Sequence, residues 1–152
     1  MMDRRQMIPV AGLLATVVAS AYMVVQLNGQ TVRPTGDFTN AAVAEVRNAQ
    51  GQAILSGQFQ LVVEEEEDDD VERKAALAPT GVDADATGEA EVEFSKRAPA
   101  EQEVEFSARN VAPGTVLTFV IDGIDVATAT ADKSGRAEVE LDVRMPGATA
   151  SR

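Results

Sequence analysis

From residue 40 onward, apolar and polar positions alternate with a period of two. In 136–144, Ala137, Val139, Leu141 and Val143 point one way, while Glu138, Glu140 and Asp142 point the other. In 89–94, Ala90, Val92 and Phe94 alternate with Glu89, Glu91 and Glu93. In 103–108, Val104, Phe106 and Ala108 alternate with Glu103, Glu105 and Ser107. Such patterning predicts strands with one buried and one wet face. Residues 115–121 (TVLTFVI) are continuously apolar and β-branched, which predicts a central strand covered on both sides. The stretch 39–47 is rich in Ala, which favours helix. It is read as a strand because of the repeat that follows.

The segment 86–94 (ATGEAEVEF) matches 133–141 (KSGRAEVEL) position by position, preceded by Asp85 or Asp132. Both copies read D-x-[S/T]-G, a hairpin turn with Gly where a positive φ is needed. Further back, 47–55 (RNAQGQAIL) resembles 109–117 (RNVAPGTVL) with a one-residue offset, so Gly51 and Gly114 each precede an apolar strand. The expected strands are 41–47, 53–63, 71–78 and 88–96 in one half, and 101–109, 115–121, 124–131 and 136–144 in the other. The fold expected is all-β, an antiparallel sandwich or small barrel of about eight strands in two pseudo-repeats, 41–96 and 101–144. Halves this small cannot each bury much surface, so one shared core spanning 41–145 is expected. A tail, 146–152, follows.

The N-terminal pattern is different. No charge occurs from Gln6 to Val32, and residues 7–27 are mostly apolar behind Arg4 and Arg5. About 20 apolar residues in a helix span a hydrocarbon core of roughly 30 Å. Residues 1–30 therefore read as a membrane anchor that leaves the domain outside the cytoplasm. The rival is a signal peptide cleaved after Ala21, at the A-x-A site formed by Ala19, Ser20 and Ala21, which gives a secreted or periplasmic protein. The anchor is preferred because the chain stays apolar through Val25, where cleavage regions are usually more polar. Residues 31–40, with Pro34 and Gly36, read as a linker.

Composition narrows the chemistry. The 152 residues carry a net charge of −12 and include no Cys, His or Trp. That excludes disulfides, thiolate or imidazole metal sites, thiol nucleophiles, the Ser-His-Asp triad and a lipid-modified cysteine. Few aromatic residues and an acidic balance argue against nucleic-acid binding. Nucleophilic catalysis without His needs Ser beside Lys, and the adjacent Ser95 and Lys96 face opposite sides of a strand.

The loudest signal is the run Glu64, Glu65, Glu66, Glu67, Asp68, Asp69 and Asp70. In the other half, Asp122-Gly123 makes a two-residue hairpin at the corresponding place, so the run reads as an expanded hairpin loop. Such a charge block is normally solvated. Its functional alternative is a weak Ca2+ or Mg2+ site, or a contact for a basic partner. Residues 83–88 (DADATG) imitate the start of an EF-hand loop, but Phe94 stands where the bidentate Glu belongs. Asp85 and Asp132 read as turn formers. The pairs Glu91/Glu93, Glu103/Glu105 and Glu138/Glu140 each share the wet face of a strand, where a carboxyl lacks the burial that raises its pKa. On adjoining strands they would repel one another and recruit cations weakly.

The second half, with its A-P-G turn, a strand ending in D-G, a D-x-S-G-R turn and an alternating strand, resembles β-rich repeat modules of exported, largely uncharacterised bacterial proteins. The likeness covers 101–144 and, more loosely, 41–96. It implies a sandwich-like exported domain and carries no catalytic motif. The function expected is a non-enzymatic exported or membrane-tethered domain with a structural or protein-interaction role, requiring no cofactor. The alternative is a weak divalent-cation-responsive module using the acidic loop 64–72.

Overall fold

A computed structural model describes residues 25–27, 30–32, 35–62 and 69–147. The strands are β1 (Val25–Leu27), β2 (Gln30–Val32), β3 (Val43–Arg47), β4 (Ala53–Gln58), β5 (Gln60–Val62), β6 (Asp70–Pro79), β7 (Thr87–Ser95), β8 (Glu101–Arg109), β9 (Val116–Ile121), β10 (Ile124–Thr130) and β11 (Ala137–Arg144). The stretch 39–47 yields strand β3, as expected. All of the strand ladders are antiparallel. β4 and β5 act as one strand interrupted at Phe59, whose amide donates to the Ala42 carbonyl at 2.9 Å. Counting them together, eight strands follow one another as β10-β9-β3-β4-β6-β7-β8-β11 and make a nearly closed barrel.

Side chains of the inward phase fill this barrel. Leu55, Val46, Val92, Val104, Leu117, Phe119 and Ile121 are fully buried in one cluster drawn from both halves. Phe106 of β8 meets Phe119 of β9 with ring centroids 5.1 Å apart, joining opposite walls. In the other phase of β9 Val120 is buried too, but Val116 is 47% exposed, so the strand is covered on both sides only towards its end and not along its whole length as expected.

Turn chemistry fixes the register. Asp122 (φ +48°) and Gly123 (φ +79°) form the two-residue turn between β9 and β10. The Asp122 carboxylate also accepts from the amides of Ala42 and Val43, at 3.1 and 2.8 Å, which pins the start of β3. Gly51 and Gly114 both take positive φ, as their turns require. Asp132 accepts from the Ser134 and Arg136 amides, at 2.8 and 3.1 Å, and Gly135 has φ +75°. The matching Gly88 departs from expectation. It lies inside β7, and the left-handed position of that connection is Gly81 (φ +103°). Gly88 is needed for another reason: a Cβ there would lie 2.5 Å from the Ser107 carbonyl oxygen on β8. Strand pairing does not follow the sequence repeat either. β3 pairs β4, whereas the matching β8 pairs β7 and β11.

The barrel closes unequally. At one corner β4 meets β6 through Leu55 with Pro79 and Ser56 with Ala78. On the other side β10 and β11 share no ladder. There the N-terminal segment touches both edges. Thr31 and Val32 of β2 pair with Thr128 and Ala127 of β10, and Thr35 bridges Arg144 of β11 in parallel. Residues 35–38 are thus packed against the domain, and Phe38 is 2% exposed. The apolar segment 7–27 lies outside the described residues except for Val25–Leu27, which form β1. Among the described residues no helix is long and apolar enough to cross a membrane.

Val62 of β5 pairs with Glu72 of β6, so the strands flanking the acidic run are hydrogen-bonded neighbours. A hairpin loop can be shortened at small entropic cost. Replacing residues 64–68 with Asn-Gly should leave the circular dichroism spectrum intact and the melting temperature within about 5 °C of the parent. Loss of folding would show that the run is needed for the fold.

Candidate functional site

The strand register assembles a charged face that no single segment reveals. The inward phase of β6, β7, β8 and β11 lies on the core, so the other phase points outward. Pairing sets these residues in rows. Glu72, Glu93, Glu103 and Asp142 form one, Lys74, Glu91, Glu105 and Glu140 the next, and Ala76, Glu89, Ser107 and Glu138 the third. The three carboxylate pairs read from the sequence thus lie on adjoining strands and merge into one surface. Shallow grooves of about 340 and 420 Å³ run along it, the first beside Glu93, Glu103 and Asp142, the second beside Glu91, Glu105 and Glu140.

Crowding changes the acid chemistry. Glu91 is half-buried, and its pKa is pushed up to about 7. Desolvation is the largest cause, followed by its hydrogen bond to Glu72 and the Glu72 charge. Glu72 moves the opposite way, held below the usual carboxylate range by the hydrogen bond from Glu91 and then by Lys74. The two carboxyls therefore titrate as a pair, with Glu91 displaced upward and Glu72 downward. Lys74 pairs with Glu72 and lies 3.6 Å from Glu91, and the Glu72 contact raises its own pKa. Glu103 is also raised, by desolvation first and then by Glu140, Glu105, Glu93 and Asp142. The expectation that these wet-face carboxyls lack the burial for a raised pKa is therefore corrected at Glu91 and Glu103. Burial desolvates each carboxyl, and acids on neighbouring strands add like charge.

Carboxylate oxygens of Glu103, Glu105 and Glu140 lie within 4.8 Å of one another. This is the donor set on the described surface that fits a hard divalent cation, although Ca2+ takes about six to eight oxygens. The acidic run named as the alternative metal site is placed only in part. Glu64, Glu65, Glu66, Glu67 and Asp68 lie outside the described residues. Asp69 forms an ion pair with Arg97 at 2.7 Å, and Asp70 opens β6 opposite Ser95. Arg73 reaches inward, and its Nε donates to the Thr39 carbonyl at 2.8 Å.

Sequence reasoning missed Gln102. It occupies the inward phase of β8 with Val104 and Phe106 and is 3% exposed. A polar residue in an apolar phase was the available signal. Its carboxamide accepts from the Phe38 amide at 2.7 Å and donates toward the Gly36 and Pro99 carbonyls, both at 3.4 Å.

The raised acids have a definite sign in stability. Unfolded Glu91 titrates at its ordinary value of 4.5 and folded Glu91 at about 7. Between these values the folded chain keeps a proton that the unfolded chain has lost. The stability contributed by this carboxyl is complete below the lower value and is lost as pH rises through the upper one. Glu103 has the same sign. The lowered Glu72 contributes above 4.5 and loses that contribution at more acid pH. The melting temperature should therefore fall between about pH 5 and about pH 8, and Glu91→Gln should remove most of that slope. A rising melting temperature over this range would contradict the assignment.

Comparison with protein-family models, with curated proteins and with solved structures gives no match for this chain.

Proposed function

We infer that this is a non-enzymatic domain, exported or membrane-tethered, with a structural or protein-interaction role, and that its working surface is the acidic face of β6, β7, β8 and β11. The observation that carries this reading is the register. It sets nine carboxylates in three adjoining rows with Lys74 as the basic residue among them. Such a field attracts a basic partner and repels nucleic acid. The residue content supports a non-catalytic role, since the chain has neither Cys nor His and the pair Glu72/Glu91 lies on an open face. The export half of the reading rests on the apolar run 7–27 behind Arg4 and Arg5.

A second reading is favoured by one specific observation, the convergence of Glu103, Glu105 and Glu140. Under it the domain responds to millimolar Ca2+. This moves the cation-responsive alternative from the loop 64–72 to the sheet face.

A lysine-rich peptide titrated into the full chain separates these readings. Binding should weaken steeply with salt. The triple variant Glu93→Gln, Glu105→Gln, Glu140→Gln should bind at least about tenfold more weakly. The charge-matched variant Asp83→Asn, Asp85→Asn, Asp125→Asn should bind much as the parent does. Equal losses in both variants would reduce the effect to net charge and defeat the docking surface. An unchanged melting temperature in millimolar Ca2+ would defeat the second reading.

A further inference from the structure

The Asp132 turn joins β10 to β11 at one end of their seam, and a short piece of chain bridges the seam towards its other end. Gly36 donates its amide to the Arg144 carbonyl at 2.8 Å, and Phe38 donates its amide to the Gln102 carboxamide at 2.7 Å. The Phe38 ring folds back over Gly36, where a Cβ would lie 2.6 Å from the ring, so a side chain here would push the buried ring from its seat. Buried carboxamides need partners. Gln102 finds them on residues 36 and 38 and, beyond that, at Pro99.

The hold is strong in place and small in extent. Against it, β7 pairs with β6 and with β8 through eight residues each. The contacts of Gln102 to Gly36 and Pro99 are long, and the Thr35 hydroxyl is the buried side-chain polar atom that lacks a partner among the described residues. Segments with few bonds open at lower free energy than the body they rest on. Upstream, the same chain pairs with β10 through Thr31 and Val32, so it grips both edges of the seam. Downstream, the Asp37 carboxylate accepts from the Thr39 amide at 3.1 Å, and Arg73 holds the Thr39 carbonyl, which fixes the pivot.

We propose that residues 35–38 are a latch, with Gln102 as its catch, that couples the N-terminal segment to closure of the β10/β11 seam. Released, it leaves the eight-strand barrel folded and the backbone edge of β11 uncovered at Arg144. Displacement of the N-terminal segment is thereby read out as an open seam. In a tethered protein this is where tension on the tether enters the domain.

Native-state hydrogen exchange on the full chain tests the latch. The Gly36 and Phe38 amides should exchange at least about tenfold faster than those of Val104 and Phe106, with little dependence on dilute denaturant. Gln102→Ala should speed the first pair roughly tenfold more and leave the second pair unchanged. The chain has no Cys, so Thr35→Cys with Arg144→Cys provides a reversible lock at a bridged pair. Oxidation should slow the Gly36 and Phe38 amides toward the rate of β8, and reduction should restore them. The proposal is overturned if all four amides exchange together with one denaturant slope, or if the oxidised and reduced double variants exchange alike at Gly36 and Phe38.

Discussion

Burial of the inward phase dictates what happens on the outside of β7, β8 and β11. Ala90, Phe106 and Val139 form one inner row, and Val92, Val104 and Leu141 the next. Sliding one strand by a residue would turn its whole apolar set to water. Each large apolar side chain buried contributes about 1.5–3 kcal/mol, above the roughly 0.2–1 kcal/mol scale of a single cross-strand side-chain pair, and like charges directly opposite are destabilising. The core therefore wins, and the glutamates of the other phase are driven side by side. The repulsion is relieved locally, by Lys74 beside Glu72, by Arg136 beside Glu138 and by the upward shift of Glu91.

Much of the barrel was legible because alternation is a local signal. The strand spans β7, β8 and β11 follow it closely, β9 follows its continuous apolar run, and Asp122-Gly123 announces its hairpin through the need for positive φ at both residues. The acidic face was not legible as a unit. Each glutamate pair could be assigned to a wet face, but which strands adjoin depends on tertiary pairing, and β11 reaches β8 across 27 residues of intervening chain. The repeat predicted turns better than neighbours. Its glycines at 51, 114 and 135 have the required backbone, yet Gly88 serves close strand approach, and the two halves pair differently.

The segment read as a linker carried a misleading composition. Pro34, Gly36 and Asp37 are turn formers, and Phe38 alone among them hinted at docking. Its partner, Gln102, breaks the apolar phase of β8 sixty-four residues later, and local patterning cannot connect the two. The consequence is a barrel with two unlike closures. At the β4/β6 corner the strands approach so closely that a Cβ on Gly57 would strike the Ala76 carbonyl, while the end of the seam away from the Asp132 turn is bridged by Thr31, Val32, Thr35 and Gly36.

Inner packing forces carboxylates on the outer face close enough to disturb their ionisation. Carbon-detected NMR of the side-chain carboxyls across a pH titration of the full chain measures this directly. The expected result is Glu91 titrating at about 7 with Glu72 displaced the other way and Glu103 displaced upward. If all three titrate together at the ordinary value of 4.5, the glutamates of β6, β7 and β8 do not crowd one another, and the acidic face as described here is wrong.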